Sequence, residues 1–270
     1  MLSASPVKGG PRYWLPQLGL FESDKEVIES YQWLNDNIIR GAQSVLKQQC
    51  QGKIDGWMNT QLTKRKKLFN PIHPSTDFVQ VLHVSESHWL TVSNISLAKT
   101  KDRILVYDSS LPTSLKLPTK KAICSIVKPA TDIFNFDIVD VQRQPNLVDC
   151  GVFALAFATE IVHGCSPARA YFDVTQLRPH LVKCLEAGHF TRFPLVKERR
   201  VPLGCLLKCS IQERIYCTCR TVNDVDLAMV ECDSCHRWYH ENCEKVTVEE
   251  VRDIKWSCSV CKNVFGTPSC

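Results

Sequence analysis

No stretch of the 270-residue chain comes near the ~18 uninterrupted apolar residues that a membrane-spanning helix needs, so no span is expected. Met1 to Gly10 lacks the apolar core of a secretory signal, and an intracellular protein with reduced thiols is the expectation. No internal repeat is present, which sets repeat architectures aside. The compositional bias of a disordered chain is missing too, since 44% hydrophobic and 23% charged residues are ordinary for a globular protein. What the chain has in excess is cysteine, 15 in all. Without disulfides, metal binding and catalysis are the usual reasons for so many. The length suits one medium domain and one small one.

Charge is divided unevenly. Ile211 to Asn263 holds 7 Lys/Arg against 10 Asp/Glu, so the remainder carries +8 of a net +5. Metal-bound thiolates would deepen the negative balance of the C-terminal part. An acidic module suits a basic ligand, and a basic module an acidic one.

The pattern along the chain predicts an α+β protein. Residues 1–22 read as an irregular N-terminal segment. Ser23 and Glu26 fit a capping box at the start of a helix. Helical spacing then runs through Val27, Ile28, Tyr31, Leu34, Ile38, Val45 and Leu46, with room for a break. A short helix near Trp57 to Leu62 is also expected. Strands are predicted at Phe78–Val84, Trp89–Ile95, Arg103–Tyr107 and Phe136–Val141, which are rich in β-branched and aromatic residues. Gly151 to Val162 is apolar almost all round and should be a buried helix. Another helix is expected over Thr175 to Ala187. Residues 23–194 make up the larger domain, 195–212 a linker, 213–263 the small domain and 264–270 a tail. Lys64-Arg65-Lys66-Lys67 reads equally as a solvated loop or a nuclear-import patch.

The small domain carries four close pairs: Cys217 with Cys219, Cys232 with Cys235, His240 with Cys243, and Cys258 with Cys261. Thiolates one to three residues apart can grip a tetrahedral ion without long loop closure, and eight ligands serve two zinc ions. A segment this short builds little core, so metal must supply folding energy, and chelation is expected to unfold it while sparing the larger domain. The order of ligands, four cysteines, a histidine, then three cysteines, resembles the plant homeodomain (PHD) finger. Trp256, two positions before the last pair, is a further family feature. The resemblance implies a cross-brace: Cys217, Cys219, His240 and Cys243 on one ion, and Cys232, Cys235, Cys258 and Cys261 on the other. It also implies a histone H3 tail as partner. A methylated ammonium is held over π faces, and Tyr216, Met229 and Trp238 stand where such a cage would be, although Trp238 alone reads equally as a core residue. Asp224, Asp226 and Glu231 could meet the arginine or free amine of a tail.

The second constellation is spread out: His88-Trp89, Tyr107-Asp108-Ser109, and Gln144 to Gly151. Cys150 stands where a polar loop meets the apolar helix. A helix N-terminus favours a thiolate. A histidine beside it completes a nucleophile–base pair, an aspartate orients that histidine, and a side-chain amide can meet the developing oxyanion. A lone cysteine in such a place is usually just buried. Here, however, the order His, Asp, Gln, Cys, with Gln144 six residues before Cys150, resembles the ubiquitin-like-protein-specific (SUMO-type) cysteine proteases. His88-Trp89, Asp149-Cys150-Gly151 and Trp33-Leu34-Asn35-Asp36 are family strings as well.

That resemblance implies a papain-like fold of the ubiquitin-like protease type, with no cofactor for the protease domain. Cys150 would be the nucleophile, His88 the base and then acid, Asp108 its orienter and Gln144 an oxyanion donor. Trp33 and Trp89 would line a tunnel for a Gly-Gly tail, since glycine has no side chain to strike its walls. The expected function is an isopeptidase or endopeptidase acting on SUMO or a related modifier and its conjugates, in the nucleus, with no membrane and no sequence-specific nucleic acid as partner. The competing expectation is a docking domain without catalysis, joined to a histone-reading finger; such domains also occur in mobile elements.

Overall fold

The computed structural model of the chain describes residues 11–59, 71–73, 75–84, 88–95, 103–128, 131–202, 206–224 and 226–264. The basic run Lys64 to Lys67 lies outside them. The N-terminal stretch is more ordered than its composition suggests. Strands β1 (Tyr13–Leu15) and β2 (Leu20–Phe21) pair antiparallel, and helix α1 (Glu22–Glu29) follows at once. The predicted capping residue is displaced. Helix α1 starts before Ser23, and Asp24, not Glu26, accepts the backbone N–H of Phe21 at 2.9 Å. The long helical pattern is broken, and α2 (Asp36–Cys50) starts anew with Asn35 as N-cap, accepting from Ile38 N at 3.1 Å.

Strand β3 (Asp55–Gly56) ends just before the region where a short helix was expected. Residues 57–59 are not helical, and 60–62 fall outside the described residues. A Cβ on Gly56 would lie 2.1 Å from the carbonyl oxygen of Val79, so only glycine lets these backbones approach. Strands β4 (Phe78–Val84), β5 (His88–Ser93) and β6 (Arg103–Tyr107) follow, then α3 (Leu117–Ile126), β7 (Ile133–Val139) and α4 (Cys150–Val162). Helix α3 was not foreseen, and Pro118 in its first turn marks its start. Strand β8 (Ala170–Phe172), helix α5 (Val174–Ala187) and strand β9 (Leu195–Glu198) complete the expected catalytic region.

The stretch expected to be a linker contains β9, paired with β8, and β10 (Leu207–Arg214), paired along β7 from Leu207↔Val139 to Arg214↔Ile133. Alternation of half-buried Cys209, Ile211 and Glu213 with exposed neighbours is the signature of an edge strand. The six-stranded sheet therefore runs β10-β7-β6-β5-β4-β3, with parallel pairs at β6–β7 and β3–β4. The small domain adds the hairpin β11 (Met229–Glu231) and β12 (Trp238–His240) and helices α6 (Glu241–Glu244), α7 (Val248–Val251) and α8 (Ser259–Val264).

Both faces of the sheet are covered, which explains its nearly continuous apolar strands. On one face α2, α4 and α5 pack against Val79, Val81, Trp89, Leu105 and Tyr107. Phe153, Leu155 and Phe157 of α4 are fully buried there, each worth about 1.5–3 kcal/mol of transfer free energy. On the other face α3 covers Phe78, Leu90, Val92, Val106 and Phe136. Ile215 and Val222, at the entrance to the small domain, belong to this second core.

Candidate active site and metal-ligand clusters

Helix α4 sets Cys150 in its first turn, buried to 2% exposure. Two neighbouring strands supply its partners. Thr91 pairs with Tyr107 across β5 and β6, so His88 and Asp108 project from the same ends of these strands. His88 Nε2 lies 2.7 Å from Asp108 Oδ1, and the imidazole also hydrogen-bonds to Cys150. Burial works against the charged imidazole, but Asp108 and Cys150 outweigh it and raise His88 to about 10. For Asp108 burial likewise opposes the charge, and His88 with the hydroxyl and N–H of Ser110 hold the carboxyl below its ordinary value. The geometry is that of a thiol, an imidazole that can carry its proton, and a carboxylate that fixes the imidazole.

Gln144 is oriented by a residue for which no role was predicted. Ser109 Oγ donates to Gln144 Oε1 at 2.6 Å, and the Gln144 backbone N–H donates to Ser109 O at 3.0 Å. This turns the amide nitrogen the other way, where it meets Asn146 O at 2.5 Å and keeps a second N–H to give. Gly151 lets the Trp33–Leu34 segment come close, because a Cβ there would meet Leu34 Cβ at 3.0 Å.

The two tryptophans part company. Trp33 is 52% exposed, and its indole N–H donates to Leu147 O at 2.8 Å, across the nucleophile loop. Trp89 is 3% exposed, donates to Leu34 O at 3.0 Å and lies tilted against the His83 ring, centroids 4.5 Å apart. Leu147, 83% exposed, adds a second exposed apolar side chain to the loop before Cys150.

The small domain gathers the eight predicted ligands into two groups, Cys217, Cys219, His240, Cys243 and Cys232, Cys235, Cys258, Cys261, with all ligand atoms of a group within 4.8 Å of one another. His240 Nδ1 lies 3.5 Å from Cys219 Sγ and 3.9 Å from Cys243 Sγ; Cys232–Cys261 and Cys235–Cys258 sulfurs are 3.9 Å apart. Zinc–sulfur bonds of about 2.3 Å in a tetrahedron put sulfurs roughly 3.8 Å apart, so the groups fit that ion. Val230, Tyr239 and Trp256 pack between them as a small core.

Of the expected cage, Met229 and Trp238 share one face of the hairpin, opposite His240 and Glu231 respectively, and Trp238 is 44% exposed. Tyr216, half-buried, accepts a hydrogen bond from Arg214. Asp224 differs from expectation, because its carboxylate is paired with Lys121 of α3.

That pair belongs to a broad contact between the small domain and the sheet. Ile215 N donates to Asp132 O at 2.7 Å, Asp132 pairs with both Arg220 and Arg237, and Lys128 donates to Cys219 O at 2.9 Å. Lys120 pairs with Glu213. The small domain is thus in contact with the sheet through hydrogen bonds and ion pairs.

A family model described as "Ulp1 protease family, C-terminal catalytic domain" matches residues 32–187, more than half of the chain, and a second, "PHD-finger", matches residues 217–261. Among curated proteins, lysine-specific demethylase 7A of Xenopus tropicalis is 40% identical over 53 residues, 19% of this chain and 6% of that protein. Protein ECM5 of Saccharomyces cerevisiae is 30% identical over 98 residues, 35% of this chain and 6% of that protein. The chain therefore spans only a small fraction of these relatives. Among solved structures, the Ulp1 protease domain in complex with Smt3, the yeast ortholog of SUMO, is 19% identical with a TM-score of 0.46, covering 63% of this chain and 83% of that one. The SUMO protease Ulp1 with its catalytic cysteine oxidized to a sulfonic acid is 16% identical with a TM-score of 0.48, over 67% and 91%.

Proposed function

This chain belongs to the Ulp1 protease family, with a PHD finger following the protease fold, and on that premise we propose that it is a cysteine peptidase cutting after the C-terminal Gly-Gly of a ubiquitin-like modifier, SUMO in the first place. The observation that carries this is His88, hydrogen-bonded at once to Asp108 and to Cys150 at the head of a buried helix. Its raised affinity for protons suits it to hold the thiol's proton as an imidazolium.

The Cys150 thiolate attacks the terminal glycine carbonyl carbon, and the oxyanion is met by Gln144 Nε2 and the backbone N–H groups of the first turn of α4. As the C–N bond breaks, His88 gives its proton to the departing amine. It then takes one from water, whose oxygen attacks the thioester, and the modifier leaves as a carboxylate while the thiol is restored. Asp108 keeps the imidazole in line throughout. The exposed Trp33 and Leu147 offer the apolar surface along which a tail with no side chains can reach the thiol.

The finger holds two zinc ions, one in each group of four ligands, as structural sites closed to substrate. Its own partner is a histone H3 tail bearing a methylated lysine against Met229, Trp238 and Tyr216, which places the protein's work on chromatin in the nucleus. Support comes from the exposed face shared by Met229 and Trp238 and from the demethylases whose fingers it resembles.

C-terminally electrophilic probes made from SUMO, ubiquitin and related modifiers test the first reading. A covalent adduct with one probe, lost in Cys150→Ala, is the expected result; no adduct with a folded, zinc-loaded sample sinks it. One observation favours the alternative, a domain that docks a modifier without cutting it: the Cys150 thiol is covered. For the finger, equal affinity for unmodified and trimethylated H3 peptides would dismiss the cage.

A further inference from the structure

The turn that follows β6 carries more than the carboxylate behind His88. Ser109, next to Asp108, is 1% exposed. Its hydroxyl donates to Gln144 Oε1 at 2.6 Å, and its carbonyl accepts the Gln144 backbone N–H at 3.0 Å. Ser110 gives its N–H, at 2.8 Å, and its hydroxyl, at 2.7 Å, to Asp108 Oδ1. Leu111 N closes the turn on Asp108 O at 3.0 Å, and Leu111 itself sits at φ 51°. A leucine keeps that left-handed conformation only where its surroundings fix it. Lys208 of β10 supplies one such contact by donating to Leu111 O. One short turn thus sets the carboxylate that orients His88 and, one residue on, the hydroxyl that holds Gln144.

The two ends of the Gln144 amide meet different partners. Nε2 donates to Asn146 O at 2.5 Å, and a carbonyl can only accept. The amide is therefore settled with its nitrogen toward residue 146 and its oxygen toward Ser109, whose hydroxyl must donate. Asn146 is itself fixed. Its Oδ1 accepts Val148 N at 2.9 Å and Asp149 N at 3.0 Å, and its Nδ2 donates to Asp149 Oδ2 at 2.7 Å. The other Asp149 oxygen is paired with the buried Arg178 of α5 at 2.8 Å. A donor on an amide oxygen draws electron density from the nitrogen, which makes the remaining N–H a stronger donor.

We infer that Ser109 is a positioning residue for the reaction: acting through Gln144, it fixes and polarises the amide that meets the developing oxyanion. The inference rests on the peptidase reading of Cys150. It gives the two halves of the chemistry, the base and the oxyanion donor, a common mount in consecutive residues, Asp108 and Ser109.

The test is steady-state cleavage of a fluorogenic amide on the C-terminal glycine of whichever modifier probe labels Cys150, with the full, zinc-loaded chain. In Ser109→Ala kcat falls about tenfold with KM unchanged, less than the loss of about 10²–10³-fold expected when the donor itself is removed in Gln144→Ala. Adding Ser109→Ala to Gln144→Ala gives no further loss, because the residue it acts through is gone. Alkylation of Cys150 by iodoacetamide, followed between pH 5 and 9 at the Cys150 peptide, keeps the wild-type profile in Ser109→Ala, since Asp108 and His88 are untouched. An unchanged kcat, a shifted alkylation profile, or a second loss of the same size in the double variant would each overturn the inference; the last two would make Ser109 a prop for the Asp108 turn. Should Ser109→Ala not fold, Ser109→Cys, which keeps the size and weakens the donor, enters the same cycle. If no probe labels wild-type Cys150, it is the peptidase reading that fails, and the role of Ser109 falls with it.

Discussion

Around Cys150 the reactive groups stand on elements packed into a large buried core, open only on the side of Trp33 and Leu147 among the described residues. Helix α4 is enclosed by the sheet, α2 and α5, and His88, Asp108 and Gln144 are each held by a second residue. In the finger, the core amounts to Val230, Tyr239, Trp256 and the ligands themselves. One site is organised by a large apolar core, so a single lost contact is absorbed; the other has no comparable reserve and depends on its ion. Yet the two are joined, because Ile215 and Val222 of the finger side complete the second core of the sheet. The expectation that chelation unfolds the finger alone therefore has a rival, in which the loss is felt by the sheet as well.

Chelation makes the largest test of that contrast. Removing zinc unfolds the finger, read by loss of Trp256 and Trp238 fluorescence signatures, and it also lowers the melting temperature of the protease fold; an unchanged protease transition would show that the docking carries no stability. Asp108→Asn tests the other side. It lowers the melting temperature, because the buried pair with His88 is lost, and reduces turnover by about 10²–10⁴-fold. It also moves the alkaline limb of the pH–rate profile. His88 is raised above its ordinary 6.5 to about 10, so its charged form, and the stability it lends, is full below about 6.5 and lost as pH rises through about 10. Without Asp108 that limb falls toward neutrality.

Ile215→Ala sharpens the comparison at the junction. It deletes a fully buried side chain at a cost of about 2–4 kcal/mol, and denaturant unfolding followed by both finger and sheet probes should shift together. The smallest effect is expected for Asp132→Ala. This removes the shared partner of Arg220 and Arg237, a partly exposed set worth on the order of 1 kcal/mol or less, and weakens docking measurably only at low ionic strength, where screening is low.

Legibility in the sequence followed the reach of each interaction. The zinc ligands were visible because their pairs lie within three residues of one another. His88, Asp108, Gln144 and Cys150 are far apart in sequence, yet short strings around them resemble a known family. Strands β4 to β7 and helix α4 were readable from periodicity and apolar content, with ends displaced by a few residues. Arg178 was not readable, because nothing local distinguishes an arginine that pairs with a carboxylate 29 residues away. Ser109 was hidden in the same way, since its partner Gln144 is 35 residues on. Strand β10 was mistaken for linker because a charge cluster, Pro202 and Gly204 precede it, although Cys209 and Ile211 alternate with polar residues as an edge strand requires.

Strand β10 has a mechanical meaning. Its early residues hold the turn after Asp108, through Lys208 to Leu111 O at 2.5 Å and Cys209 to Thr113 O at 3.4 Å, and its last residue hands the chain to the finger. A flexible tether lets a bound module roam a volume, raising local concentration without choosing an angle. A strand stitched into a sheet behaves as a caliper arm: it sets the finger at one span and one bearing from Cys150.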